Sequence, residues 1–338
     1  MNKITTIGLD LAKNVFHAVC CDARGKIVRK RMLRRGQVLA YFANLERCRV
    51  GMEACAGSHY WARELQRLGF EVKLVAAQHV KAFVRGNKND YNDALAIAEA
   101  VARAEMRFVA VKTSAQQDIQ ALHRLRKGCL DARTALCNQI RSLAGEYGRV
   151  APKGVAALRR RLAEWLDEGG TDLSELFRGL LAQSQARLQE LDAHIAFYDR
   201  ALKHHSQHDD ACRRLQTLPG YGPILASAFY SRIGTGEAYR RGRDVAASLG
   251  VVPRQHSSGG KDTLLGISKR GDKYLRSLLV HGARAVVRRA AGKDDPLSQW
   301  INRIRATRGY NKAVVALANK MARMGWALLA HKTEYQMA

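Results

Sequence analysis

A carboxylate at the end of an apolar, strand-forming run constrains this chain more than any other feature. Thr5-Thr6-Ile7-Gly8-Leu9-Asp10 is a β-type run that ends in an acid, and a second run, Val15 to Cys21, follows after a short turn. The pattern predicts a hairpin whose first strand presents Asp10. A carboxylate in that position is costly to bury unpaired. Three more acids stand where a strand end and a helix start would bring them to the same point: Glu53 closing Val50-Gly51-Met52-Glu53, then Asp90 and Asp93 in Asn87-Lys88-Asn89-Asp90-Tyr91-Asn92-Asp93-Ala94. Asp90 and Asp93 are three apart, so one helix face can carry both. Taken singly, each Asp at a helix start is also a normal cap. Taken together, carboxylates held this close repel one another unless a divalent cation compensates. Oxygen-only ligands favour Mg2+ or Mn2+, and a two-metal arrangement would clamp the attacking and leaving oxygens of a phosphoryl transfer.

The surrounding order of elements supports that convergence. After the hairpin, the turn Asp22-Ala23-Arg24-Gly25 leads to a third strand, Lys26 to Leu33, then a helix around Gln37 to Arg47 and a strand ending at Glu53. A helix from Ser58 to Leu68 stops at Gly69, where glycine can take a left-handed cap. Phe70 to Ala76 alternates as another strand, and the Asp90 segment opens a helix through Val101. Strands alternating with helices in this order predict an α/β domain of ribonuclease-H-like type over residues 1–112.

Charge narrows the partners. The 338 residues carry a formal charge of +27, so a polyanion is expected. The cations are spread along the chain and no apolar run approaches the ~20 residues of a membrane span, which favours nucleic acid over a membrane. The N-terminus enters a strand pattern directly, with no signal peptide pattern, and the seven cysteines lack any C-x-x-C pairing. Reduced thiols in a cytoplasmic protein are the expectation.

From Thr113 the character changes. Ser114 can cap a long helix with Ile119, Leu122, Leu125, Leu136, Ile140 and Leu143 at helical spacing. A linker at 145–154 and helices over 158–166 and 173–202 follow. The spacing predicts a helical hairpin or coiled-coil arm over 113–210, packed within one chain or forming a dimer interface. His204-His205-Ser206-Gln207-His208-Asp209-Asp210 reads as a solvated turn rather than a metal site. Residues 211–338 form a further, mainly α region. In it Leu218-Pro219-Gly220-Tyr221-Gly222 is similar to the turn of helix-hairpin-helix modules, where Gly220 and Gly222 amides could approach a phosphate, although an ordinary tight turn fits too. Residues 249–261 read as a polar loop of small residues. Lys261, Lys269, Arg270, Lys273 and Arg276 supply cations for backbone phosphates. On chemistry alone, a serine in that loop reads as a phosphate ligand.

The stretches Gly8 to Lys13, Glu53-Ala54, Lys88 to Ala94, Leu218 to Gly222 and Pro253 to Gly259 occur in the order seen in DEDD transposases of the insertion-sequence one-ten family, in particular its eleven-eleven branch, and the resemblance covers nearly the whole chain. It implies a RuvC-like domain whose Mg2+ is held by Asp10, Glu53, Asp90 and Asp93. It also implies a C-terminal transposase domain with a serine nucleophile five residues after Pro253, which is Ser258, with Ser257 as its neighbour. By the same resemblance the protein is an oligomer, dimer or tetramer, whose sites combine the acids of one subunit with the serine of another. A structured guide RNA, encoded by the element itself, would choose donor and target DNA. Two other readings stay open: a RuvC-like endonuclease in which water attacks, and a non-catalytic nucleic-acid-binding protein. A sugar-kinase-like ATPase shares the opening strands but would need a Gly-rich phosphate loop that is not found.

Overall fold

The computed structural model describes residues 3–87, 89–167 and 173–336, which leaves Lys88 of the Asp90 segment outside the described residues. The chain divides into two compact units, residues 1–115 with 236–240, and residues 116–235 with 241–338.

The first unit is built on a sheet of β1 (Thr6–Leu11), β2 (Val15–Cys21), β3 (Ile27–Arg34), β4 (Arg49–Glu53), β5 (Glu71–Val75) and β6 (Phe108–Val109), in the order β3-β2-β1-β4-β5-β6. The strands β1, β2 and β3 form an antiparallel meander, β4 and β5 run parallel to β1, and β6 is antiparallel to β5. Alternation in β1 and β4 explains the layering. Ile7, Leu9, Val50 and Met52 point to one face and are fully buried with Trp61, Ala62 and Leu65. That face is covered by α1 (Val38–Ala43) and α2 (Ser58–Arg67). A short α3 (Ala77–Val80) precedes α4 (Asp90–Ala102), which covers the other face with Ala94, Ile97, Ala98 and Val101. Residues facing α4 from the strands include Gly8 and Gly51, paired across the parallel β1 and β4 register. The absence of side chains there lets the helix rest on the strand backbones. The helix expected over 37–47 is shorter, because Asn44 ends it and Arg47 donates back to the carbonyls of Phe42 and Leu45.

The second unit is mainly helical. It comprises most of α5 (Ser114–Gly145), then α6 (Val155–Asp167), α7 (Glu175–His208), α8 (Asp210–Gln216), α9 (Pro223–Ile233), α10 (Gly242–Ser248), a two-stranded hairpin of β7 (Pro253–Ser258) and β8 (Lys261–Ile267), α11 (Lys273–Arg288), α12 (Pro296–Arg308) and α13 (Tyr310–His331). The distal parts of α5 and α7 share a core with α6 built from Cys137, Ile140, Leu158, Trp165, Phe177 and Leu181. Arg133 of α5 and Arg159 of α6 both pair with Asp192 of α7. Nearer the other end, buried His123 of α5 bonds Ser227 of α9 at 3.0 Å and Tyr274 of α11 at 3.1 Å, tying three helices through one imidazole. Burial lowers the His123 pKa to about 4, so it is neutral at physiological pH.

Two expectations are corrected here. Residues 253–258, expected as loop, form a strand that pairs with a second strand over 261–267, the two turned by Gly259 and Gly260, both at positive φ as a tight two-residue hairpin turn demands. The segment from His204 to His208 is the last part of α7 rather than a solvated turn. No residue there breaks a helix, and the stop comes only at Asp209, whose carboxylate caps α8 by accepting from the Cys212 amide at 2.8 Å.

Candidate active site

The four sequence-predicted acids fall in the first unit, at one end of the α4 face of the sheet. Gly8 and Asp10 are two apart on β1, as are Gly51 and Glu53 on β4, so strand alternation puts all four on the same side. In the β1 and β4 register the last pair is Leu9 with Met52, and the next step along both strands is Asp10 and Glu53. Antiparallel to β1, α4 rests on Gly8 with Ala94 and Ala98 and brings its first turn, with Asp90 and Asp93, to Asp10. Asn89 secures that turn by accepting from the Tyr91 amide at 2.9 Å.

The acids lie close enough for their charges to act on one another. Burial raises the Asp10 pKa, and the negative charges of Asp93, Asp90 and Glu53 raise it further while His17 opposes them. Glu53 is likewise raised by burial and then by Asp93. Such mutual repulsion is what a divalent cation would relieve. The donor set is entirely oxygen and lies at the open end of the strands, which fits a hard, partly hydrated cation such as Mg2+. The carboxylates do not form a closed shell: among the described residues, three ligand atoms within 4.8 Å of one another occur only at His205, Asp209 and Cys212. There Asp209 is already engaged as a cap.

His17 is a neighbour of the acids that the sequence alone did not single out. It stands directly opposite Asp10 in the hairpin register, places Nδ1 3.4 Å from Asp90 Oδ2, and packs edge-on against Tyr91. The signal was available, since the short turn after Leu11 fixes the pairing of Asp10 with residue 17.

The remaining predicted residues fall in the second unit. Ser257 is engaged, donating to Asp262 Oδ1 at 2.7 Å and accepting from Gln255 Nε2 at 2.9 Å. Ser258, next to the turn and paired in register with Lys261, is exposed and has no side-chain partner among the described residues. Lys261, Lys269, Arg270 and Lys273 are exposed as well. Arg276 serves the fold, donating to the carbonyls of Leu249 at 3.0 Å and Arg270 at 3.1 Å. The two glycines of the Leu218 to Gly222 turn differ in kind. Gly222 is exposed at the N-cap of α9 with open space around it, whereas Gly220 has φ 91° and sits where any side chain would run into Met321, the Gly282 carbonyl and Val286.

Similarity to known proteins runs across both units. Residues 7–148 match a DEDD transposase domain of the IS110 type, and residues 212–297 match the family described as "Transposase IS116/IS110/IS902 family". Over 335 residues, 99% of each chain, the sequence is 47% identical to a "Probable family 20 transposase" of Pseudomonas aeruginosa. It is 42% identical to the "Transposase for insertion sequence element IS1111A" of Coxiella burnetii, over 99% of this chain and 92% of the relative. It is 40% identical to the "Transposase for insertion sequence element IS1328" of Yersinia enterocolitica, over 99% of both. Two family models that together reach into both units, and relatives at 40–47% identity over nearly the whole chain, agree: the chain belongs to the IS110/IS116/IS902 family of insertion-sequence transposases.

Proposed function

We propose that this transposase cuts and rejoins DNA by serine transesterification, with Asp10, Glu53, Asp90 and Asp93 holding divalent metal and Ser258 acting as the nucleophile. The observation that carries the reading is the meeting of the four acids on the α4 face, where burial and the charges of Asp93, Asp90 and Glu53 raise the Asp10 pKa, and burial and the charge of Asp93 raise that of Glu53. A bound Mg2+, or Mn2+ in its place, would supply charge neutralisation and polarisation of a phosphate oxygen. Ser258 Oγ would form a bond to phosphorus as the bond to a deoxyribose oxygen breaks; the serine proton is lost and the leaving oxygen gains one. The phosphoserine link conserves the energy needed for rejoining. Ser258 suits the part better than Ser257, whose hydroxyl is held between Gln255 and Asp262. Lys261, Lys269, Arg270 and Lys273 would neutralise DNA phosphates, with the Gly222 amide region adding a neutral contact. Arg276 and Gly220 would act by holding these segments in place.

The same reading makes the first unit a RuvC-like domain and the long helices α5 and α7 a coiled-coil arm through which copies associate. Leu125, Leu176, Leu180 and Phe197 on those helices are 54%, 75%, 47% and 56% exposed, which supports burial in a dimer or tetramer. A structured guide RNA is the further partner, for which the charge of +27 leaves ample capacity.

The test incubates the protein with element-end DNA, candidate RNA and Mg2+ and resolves the products on a denaturing gel. A covalent protein–DNA adduct lost in Ser258→Ala and kept in Ser257→Ala supports the mechanism. Metal-dependent cleavage in all three without an adduct would replace it with hydrolysis by water.

A further inference from the structure

The second unit contains a groove of about 1650 Å³ between β8, α10, α12 and α13. Small-ligand pockets run to about 300–1,000 Å³, so the space suits a segment of a polymer. Its lining is largely apolar and includes Val315, Leu264 and the indoles of Trp300 and Trp326. Arg241, Arg243, Arg308, Lys312, Lys320 and Arg323 also line it, and no Asp or Glu does. None of these six cations is in an ion pair among the described residues. Lys320 holds its ammonium over the Trp300 ring, 4.6 Å from its centre, so aromatic surface and cation already meet in the groove.

An apolar floor with a cationic rim discriminates among occupants. An apolar protein helix would leave the cations unmatched. A duplex would satisfy them with phosphates but keeps its bases stacked inside, away from the floor. An unpaired strand meets both requirements, with base faces for the aromatic floor and phosphates for the rim. We propose that this groove holds an unpaired nucleic-acid strand, a base lying against Trp300 and phosphates meeting Arg308 and Lys312. The inference rests on the chain acting on nucleic acid and is independent of which group is the nucleophile.

The test measures binding of fluorescein-labelled dT20, rU20 and a 20-base-pair duplex to the full-length protein by anisotropy, in EDTA so that metal chemistry plays no part. Stacking contributes about 1–3 kcal/mol per base, so Trp300→Ala should weaken strand binding roughly 5- to 150-fold. Duplex affinity should stay within about twofold, and Trp300→Phe should restore most of the strand affinity. Replacing exposed Arg308 and Lys312 together by Ala, which perturbs no core, should weaken strand binding and reduce its salt slope by about 1.4. Tighter binding of rU20 would identify RNA as the occupant, and tighter binding of dT20 a displaced DNA strand. Unchanged strand affinity in both variants, or equal losses for strand and duplex, would overturn the assignment, whereas failure of the serine mechanism would show only in the adduct assay.

Discussion

An alanine at position 8 would place its methyl in overlap with the carbonyl oxygen of Ala94, 2.7 Å from the Ala98 amide nitrogen and 3.0 Å from the Ala94 carbonyl carbon. All three are backbone atoms of α4, so no side-chain rotation relieves the clash. With ordinary contact beginning near 3.4 Å, the helix must retreat by about 1 Å or more, at an overpacking cost of about 1–3 kcal/mol. Asp90 and Asp93 move with it while Asp10 and Glu53 stay on the sheet. A misplacement of about 1 Å in a catalytic constellation costs on the order of 100-fold in rate. Gly51→Ala is the comparison. Its methyl would meet Val101 Cγ1 at 2.5 Å and Ile97 Cγ2 at 3.1 Å, side-chain methyls rather than the helix backbone, so repacking of two side chains can take up part of the overlap. Transposition of a marked element in cells is the assay, with thermal melting of the purified variants to confirm that each is folded. Gly8→Ala should lower transposition about 100-fold while remaining folded, and Gly51→Ala should lower it less than about tenfold. Wild-type transposition by a folded Gly8→Ala protein would refute the idea that contact between α4 and β1 sets the spacing of the acids.

Added Mg2+ or Mn2+ should raise the melting temperature of the wild type, and Asp10→Asn should raise the metal-free value and abolish the metal response; an equal response in both proteins would remove Asp10 from the metal site. His123 has a folded pKa of about 4, below its usual 6.5, so the unfolded chain binds the extra proton between those values. Its contribution is therefore complete above pH 6.5 and is lost as pH falls towards 4. The loss is on the order of 3 kcal/mol, to be read as the difference in urea midpoints between wild type and His123→Gln across that range; parallel curves would contradict it. Gly220→Ala should destabilise by about 1–3 kcal/mol because it adds a methyl at positive φ against Met321 and Gly282. Gly222→Ala, in open space, should cost well under that by chemical denaturation.

The first unit was legible because residue type alternates along β1 even though both faces of the sheet are covered. Ile7 and Leu9 declared one face and Gly8 and Asp10 the other, so the order of strands and the side on which Asp10 lies followed from spacing. The β7 and β8 hairpin was not legible for the opposite reason. Nearly every residue in it is exposed, so no apolar period marks it, and Gly259-Gly260 reads equally well as loop or turn. The helical course of His204 to His208 was hidden by polar composition, since the buried contacts that hold it, such as Ser206 accepting from Gln216 Nε2 at 3.0 Å, come from another element. The groove was invisible for a third reason: Arg241 and Arg323 are far apart in sequence and meet only through the packing of α10 on α13.

The hairpin that carries Ser258 has no core of its own on either face. Two strands alone are marginally stable in water, so little within the chain fixes the direction in which that hydroxyl points. Under the proposed mechanism, the aim of the nucleophile is acquired from the surface against which the hairpin is laid. A solitary molecule is then an unaimed reagent, and assembly on the correct nucleic acid becomes the act that arms it, a safeguard suited to an enzyme whose misfires would cut the genome that carries it.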